Sequence, residues 1–209
     1  IRIKPINRCN HNCWHCAYRF NNLQLGEDMI EDDVIPEAKI FEIVDDIVAM
    51  GVKAVTFSGG GEPLIYRPLP DVVEKLSVGG VRVATLTNGV NLKARNADAF
   101  AAHGTWIRVS IDAWDNASYQ ASRAARPGEF DMVIENMKLF AARDTNCVIG
   151  VSFIIDETNC EHVYDACRLF KDIGVNHVKL SPVVVANDTS TINAYHTTFK
   201  SIINDQIAK

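Results

Sequence analysis

The stretch that decides the fold is residues 40–63, which read IFEIVDDIVAMGVKAVTFSGGGEP. Apolar side chains in its first half recur at the spacing of one buried helix face: Ile40, Ile43, Val44, Ile47 and Val48. The run Val52–Ser58 is typical of a buried strand. Gly51 stands between the two, where the C-terminal cap of a helix belongs. A helix, a glycine and a strand therefore form the unit from which the fold is built.

The same alternation continues in both directions along the chain. Six β runs are separated by helical stretches: Ile1–Asn7, Val52–Ser58, Val81–Asn88, Trp106–Asp112, Cys147–Ile155 and Val175–Val183. Further glycines mark the helix-to-strand junctions: Gly79, Gly80, Gly104 and Gly174. Strand–helix alternation predicts parallel strands with right-handed crossovers. Six repeats fit an open doubly wound sheet or a curved barrel, and in both the functional residues gather at the carboxyl ends of the strands.

The helix after the fifth β run has the clearest predicted start. Thr158 with Glu161 three residues later predicts a capping box. One apolar stripe follows: Val163, Ala166, Cys167 and Phe170.

Composition limits the class of protein. The 209 residues are 47% hydrophobic and 22% charged, as in a globular domain. No apolar run reaches membrane-spanning length and no signal segment opens the chain. The net charge of −5 argues against nucleic acid as a partner. We expect one cytoplasmic domain, residues 1–209, cut from a longer natural protein because the chain begins at Ile1 and stops at Lys209 within a helical pattern.

A cluster of cysteines follows the first β run directly. Cys9, Cys13 and Cys16 have C-x3-C-x2-C spacing, which can direct three thiolates to one metal centre. Three thiolates leave one iron of a four-iron cluster open for catalysis. Zinc is the alternative, with His11 or His15 as the fourth ligand. The other cysteines are dispersed, and we expect buried structural thiols there: Cys147, Cys160 and Cys167.

Polar residues also follow the second and third β runs. In the segment 58–63, SGGGEP, glycines allow close backbone approach to a ligand, and Glu62 suits an ammonium group. A tight turn is the alternative interpretation. Thr87 and Asn88 precede Gly89, and Asn-Gly is by itself a common turn dipeptide.

The fourth and sixth β runs present polar faces. Period-two alternation places Arg108, Ser110 and Asp112 together on one face of the fourth run. Asp112 can accept a ribose hydroxyl or cap the next helix. Alternation also groups three residues of the sixth run: His177, Lys179 and Ser181. If that face lines a lumen, Lys179 is a candidate substrate contact; otherwise it extends to solvent.

Taken together, these motifs resemble the radical SAM superfamily, in order and on the matching strand ends, with His15 at a position that is usually aromatic. The resemblance implies an α/β fold, a partial (β/α)6 TIM-like barrel of six parallel strands with outer helices. It implies that Cys9, Cys13 and Cys16 hold a [4Fe–4S] cluster. The amino and carboxylate groups of S-adenosylmethionine (SAM) would then bind the fourth iron.

The resemblance also suggests how the rest of SAM is bound. It assigns Gly60, Gly61 and Glu62 to the methionine amino group. Thr87 and Asn88 would line the pocket, and Ser110 and Asp112 would bind the ribose. These roles come from the superfamily and not from the spacing alone.

The segment Tyr119–Phe130 is similar to the SPASM-related branch, which contains sulfatase maturases and peptide-modifying enzymes. Arg123 would bind the SAM carboxylate, with Arg126 as the second choice. The fifth run keeps only Gly150 of the pattern G-x-I-x-G-x-x-E, so the adenine contact would come from backbone or from apolar side chains such as Val151 or Ile154.

This branch implies hydrogen abstraction from a peptide or protein side chain. The alternatives are a sugar or nucleoside, tRNA modification, and a zinc-binding interaction module. Partners implied are an electron donor such as flavodoxin or ferredoxin, with no membrane. A cysteine-rich extension beyond Lys209 is expected, and no catalytic residue is assigned to the chain itself.

Overall fold

The computed structural model describes residues 1–19 and 26–209. Its sheet has six parallel strands that follow chain order: β1 (Arg2–Ile3), β2 (Ala54–Phe57), β3 (Arg82–Thr87), β4 (Gly104–Ser110), β5 (Val148–Ile155) and β6 (His177–Pro182). All six predicted β runs are confirmed. The first is much shorter than expected, because Pro5 lacks a donor N–H and Ile6 bridges antiparallel to Val34.

Helices connect the strands and surround the sheet. They are α1 (Glu37–Ala49), α2 (Leu69–Val78), α3 (Ala94–His103), α4 (Asn116–Arg123), α5 (Glu129–Ala141), α6 (Val163–Asp172), α7 (Thr189–Thr197) and α8 (Lys200–Ile207). Three of the predicted junction glycines have positive φ angles, at 67° for Gly51, 79° for Gly80 and 89° for Gly174. Glycine adopts this conformation without steric cost, so α1, α2 and α6 end where the sequence predicted. This architecture confirms the partial (β/α)6 barrel.

The predicted capping box before α6 is wrong. Thr158 does not cap the helix; its N–H and hydroxyl both donate to Asp156 Oδ1, at 2.7 and 2.6 Å. A 3-10 turn, Cys160–His162, then leads into α6 without a side-chain cap. The carboxylate at the end of β5 is a stronger local acceptor, so the turn forms around it.

The two faces of the sheet have different neighbours. Val151 and Phe153 of β5 are fully buried in the main hydrophobic core, where Phe153 meets Phe170 of α6. The opposite face, here called the inner face, carries Ser110 and Ile154, which line a cavity at the carboxyl ends of the strands. No helix within the described residues is long and apolar enough to cross a membrane.

Candidate active site at the strand ends

The cavity at the strand ends has a volume of about 330 Å³. Most of the predicted site residues line it: Cys9, Cys13, Cys16, Gly60, Gly61, Glu62, Thr87, Asn88, Ser110 and Arg123. Asp112 does not line it and instead lines a neighbouring cavity with Trp14 and Trp114. The cavity therefore brings together the cysteine loop and the ends of β2, β3, β4 and β5, as parallel topology requires.

Backbone hydrogen bonds hold the cysteine loop in place. Asn12 N donates to Arg123 O at 3.0 Å, and Trp14 N donates to Ser122 O at 3.2 Å. Cys9, Cys13 and Cys16 are free thiols. Burial raises the pKa of Cys9 to about 11 and also raises that of Cys13. A thiol whose pKa is raised releases its proton when a metal ion binds the sulfur, so three free cysteines around one cavity fit a three-thiolate cluster.

The geometry favours a cluster over a single zinc ion. Within residues 1–19 and 26–209, no three His, Cys, Asp or Glu side chains lie close enough to surround one metal ion. In a four-iron cluster each thiolate binds a different iron, so the sulfurs need not converge on one point. Both candidate zinc-binding histidines are also held elsewhere, since His11 Nε2 lies 3.2 Å from Glu129 and His15 Nε2 lies 3.1 Å from Asp112.

Glu62 organises the wall formed by β2 and β3. Its Oε1 accepts from Leu64 N at 2.9 Å and from Thr87 Oγ1 at 2.6 Å, and its Oε2 accepts from Asn88 N at 2.7 Å. Burial raises the pKa of Glu62, against the effect of these hydrogen bonds. A carboxylate has about four acceptor positions, so one is left for a ligand.

Asn88 extends this network to the cysteine loop. Its Nδ2 donates to Asn10 Oδ1 at 2.7 Å, and its Oδ1 accepts from Val90 N at 3.1 Å. Thr87 and Asn88 are thus largely used in shaping the wall. Asn10 was not predictable from the sequence, because a lone polar residue within a cysteine motif is not distinctive.

The glycine segment packs against the chain that precedes Cys9. A Cβ on Gly61 would lie 2.0 Å from Arg8 O, and one on Gly60, whose φ is +47°, would lie 2.3 Å from Asn7 Oδ1. Glu62 N also donates to Arg8 O at 3.1 Å. These glycines therefore allow the two loops of the site to approach each other, in addition to any role toward a ligand.

Asp112 accepts hydrogen bonds from three groups of the protein. Its Oδ1 accepts from Ile154 N at 2.7 Å, and its Oδ2 binds both Arg123 and His15. Burial alone would raise the pKa of Asp112, but the Arg123 charge and the His15 hydrogen bond together lower it. The predicted helix cap is Asp115 instead, which forms a capping box with Ser118. As in Glu62, about one acceptor position of the Asp112 carboxylate is left for a ligand.

Arg123 and Arg126 lie in different environments. Arg123 is 3% exposed, lines the cavity and contacts both Asp112 and Cys13. Arg126 is exposed on the surface. The structure therefore brings the first-choice arginine to the site and leaves the second choice outside it.

The histidines of the cysteine loop, which the sequence offered only as alternative zinc ligands, contact carboxylates instead. His11 packs edge-on against Tyr119 with ring centroids 5.6 Å apart, and its Nε2 reaches Glu129. The Nδ1 atoms of His11 and His15 are buried without a hydrogen-bond partner among the described residues. The signal for His15 was its place at a position where the superfamily usually has an aromatic ring.

The sequence did not decide whether Lys179 and Ser181 of β6 face the barrel lumen. The structure places both on the inner face. Lys179 pairs with Ser152, and Ser181 pairs with Ile154, which lines the cavity. Ile154 is thus placed for the expected apolar contact, whereas Val151 is buried in the core on the other face.

Gly150 makes room for a histidine on the inner face. A Cβ at this position would lie 2.3 Å from the His177 ring. Gly150 lies between Arg108 and His177 in the sheet register. The imidazole therefore extends over β5 toward Arg108, and burial together with the arginine charge lowers the pKa of His177.

A partial barrel with three free cysteines at its strand ends defines an enzyme built around an iron–sulfur centre. The chain belongs to the radical SAM superfamily, whose family model matches residues 3–170. Enzymes of this superfamily use a [4Fe–4S] cluster and SAM. The donor set described above fits both groups.

Among curated relatives, GTP 3',8-cyclase of Aquifex aeolicus (strain VF5) is 30% identical over 183 residues, covering 84% of this chain and 53% of the cyclase. An S-adenosylmethionine-dependent nucleotide dehydratase of Lacinutrix mariniflava is 33% identical over 107 residues, covering 51% of this chain and 22% of the dehydratase. The chain thus spans about half the length of the cyclase.

Among solved structures, Streptococcus suis SuiB bound to S-adenosylmethionine has a TM-score of 0.72 at 15% identity. The match covers 96% of this chain and 47% of SuiB. At this identity the likeness establishes a shared fold.

Proposed function

We propose that this protein is a radical SAM enzyme that abstracts a hydrogen atom from a phosphate-bearing nucleotide held on the inner face of the barrel. The cluster, when bound, supplies the electron that cleaves SAM to methionine and a 5'-deoxyadenosyl radical. Cys9, Cys13 and Cys16 would hold three of its irons. The remaining side chains bind and orient SAM and the substrate, and they exclude water.

The observation that carries the proposal is the charge of the strands. The described strands contain no Asp or Glu, whereas their inner face carries four basic residues: Arg2, Arg82, Arg108 and Lys179. No ion pair among the described residues involves Arg2, Arg108 or Lys179. Arg108 Nε is buried without a partner, and Arg2 lines the cavity. Cations without an ion pair on this face, one of which lines the cavity, favour an anion such as a phosphate group.

The relatives support the same substrate class. The cyclase and the dehydratase both have nucleotides in their names. A peptide is the second candidate, because SuiB, which shares the fold, has also been solved with its precursor peptide SuiA. A peptide does not by itself account for the cationic inner face, so the nucleotide is favoured over the peptide substrate first expected from the sequence.

The test is substrate-stimulated SAM cleavage by the anaerobically reconstituted natural protein. Nucleoside triphosphates, the matching nucleosides and peptides are each added with SAM and dithionite, and 5'-deoxyadenosine is quantified. One triphosphate should stimulate cleavage, and its nucleoside should bind at least about tenfold more weakly, since charge-assisted hydrogen bonds are lost. Stimulation by peptides alone would overturn the proposal.

A matched pair of variants locates the binding site. Lys179→Ala should weaken triphosphate binding without changing nucleoside binding. Lys171→Ala removes the same charge from an exposed position on α6 and should change neither. Equal effects of the two substitutions would argue against recognition by the inner face.

A further inference from the structure

We propose that His15 Nδ1 accepts a hydrogen bond from the nucleoside part of SAM, and that Asp112 is the positioning residue that fixes the His15 tautomer. The inference goes beyond the proposed function. It depends on SAM binding and not on the nature of the substrate, so the two can fail separately.

The contact with Asp112 determines which nitrogen of His15 carries the proton. The side chain of His15 is 6% exposed, and its Nε2 lies 3.1 Å from Asp112 Oδ2. The same oxygen binds the guanidinium of Arg123, so the carboxylate acts only as an acceptor there. An N–H must therefore face it from Nε2, and in the neutral ring Nδ1 is left as an acceptor.

That acceptor has no partner within the protein. Nδ1 of His15 is buried and makes no hydrogen bond among the described residues. His15 nevertheless lines the same cavity as the three cysteines and Glu62. A buried acceptor without a partner is unfavourable, which indicates that a ligand donates to it.

The position of His15 selects the part of SAM that it meets. Glu62, a carboxylate that suits the ammonium group of SAM, lies with its donors on the β2 and β3 side. His15 contacts Asp112, which lies on the β4 and β5 side. Asp112 follows β4 there and accepts a hydrogen bond from Ile154 N of β5. The donors of SAM left for that side are the ribose hydroxyls and the adenine amine.

The ribose hydroxyls and the adenine amine are both hydrogen-bond donors, and analogues of the ligand distinguish between them. S-adenosylhomocysteine is titrated into anaerobically reconstituted protein by calorimetry. S-inosylhomocysteine, which lacks the adenine amine, and the 2'-deoxy and 3'-deoxy forms are titrated in parallel. The readout is affinity, with iron content as the check on the cluster.

His15→Phe keeps an aromatic ring and removes the acceptor. It should weaken binding of S-adenosylhomocysteine about five- to tenfold, as for one hydrogen bond. The analogue that lacks the bonded donor should bind the wild type and His15→Phe equally. His15→Gln, whose amide has both a donor and an acceptor, should recover part of the affinity.

The positioning role of Asp112 is tested by Asp112→Asn. An amide cannot accept from Ile154, Arg123 and His15 at once, so the same discrimination between ligands should be lost. Equal loss of affinity for every analogue in His15→Phe would overturn the proposal. Unchanged discrimination between S-adenosylhomocysteine and its analogues, in Asp112→Asn or in His15→Phe with full iron content, would also overturn the proposal. If His15→Phe does not retain iron, Asp112→Asn carries the test, and unchanged discrimination between the analogues in that variant at full iron content overturns the proposal.

Discussion

Arg123 joins Asp112 to Cys13. Its Nη2 binds Asp112 Oδ2, and its Nη1 lies 3.6 Å from Cys13 Sγ, with both charged side chains almost completely buried. A positive charge and an N–H at the sulfur of a cluster ligand stabilise the reduced, more negative cluster. Arg123 therefore connects the SAM side of the cavity to the electronic properties of the cluster.

Replacing Arg123 with Met should lower the reduction potential of the cluster, because the charge and the hydrogen bond to Cys13 are removed. The change also leaves Asp112 buried without its counterion, so the free energy of unfolding should fall by about 3 kcal/mol. Redox titration followed by electron paramagnetic resonance measures the first effect, and urea unfolding measures the second.

Arg126→Met is the matched control, since it removes the same group from an exposed position three residues away. It should leave both quantities unchanged. If Arg123→Met proves too unstable to purify, Arg123→Lys retains the charge and should give an intermediate potential. An unaltered potential in both Arg123 variants would show that the contact with Cys13 has no electronic effect.

Cys9→Ala, Cys13→Ala and Cys16→Ala should each abolish SAM cleavage and lower iron content, since each removes one of three thiolates available to the cluster. Iron analysis and the visible absorption of anaerobically reconstituted protein measure the loss. Cys167→Ala, on the half-buried face of α6, should keep full iron. A variant of the first group with four irons and activity would exclude that cysteine as a ligand.

The sequence predicted the order of elements well because the signals were local. The apolar stripe of Ile40, Val44 and Ile47 and the junction glycine Gly51 depend on a few neighbouring residues. Positions on strand ends were equally predictable, since parallel topology alone brings Cys13, Glu62 and Ser110 to one edge.

The partners of the polar side chains were not predictable in this way. Asp112 is paired with Arg123 eleven residues later and with His15 from a loop nearly one hundred residues earlier. Such contacts depend on how distant segments meet in the barrel. For this reason the sequence did not reveal that the Asp112 carboxylate accepts from three groups of the protein, whatever its role toward a ligand.

Glu62→Gln should destabilise the protein by about 1–3 kcal/mol, although the two side chains have the same shape. Three donors face the carboxylate, and an amide would turn an NH2 group toward at least one of them. Urea unfolding of the cluster-free protein provides the measurement. Glu74→Gln, exposed on α2, is the control and should not change the stability. Equal stability of the wild type and Glu62→Gln would mean that the hydrogen-bond network does not depend on the charge of Glu62.

Gly150→Ala should disturb the inner face through His177. The added Cβ would lie 2.3 Å from the imidazole, so the ring must leave its position over β5 and move away from Arg108. Overpacking of this kind costs about 1–3 kcal/mol. His177→Ala removes the obstacle, so Gly150→Ala should be nearly neutral in that background. Urea unfolding of the four proteins in this double-mutant cycle, with triphosphate binding as a second readout, measures the coupling. A cost of Gly150→Ala that persists unchanged without the imidazole would place the strain in the β5 backbone instead.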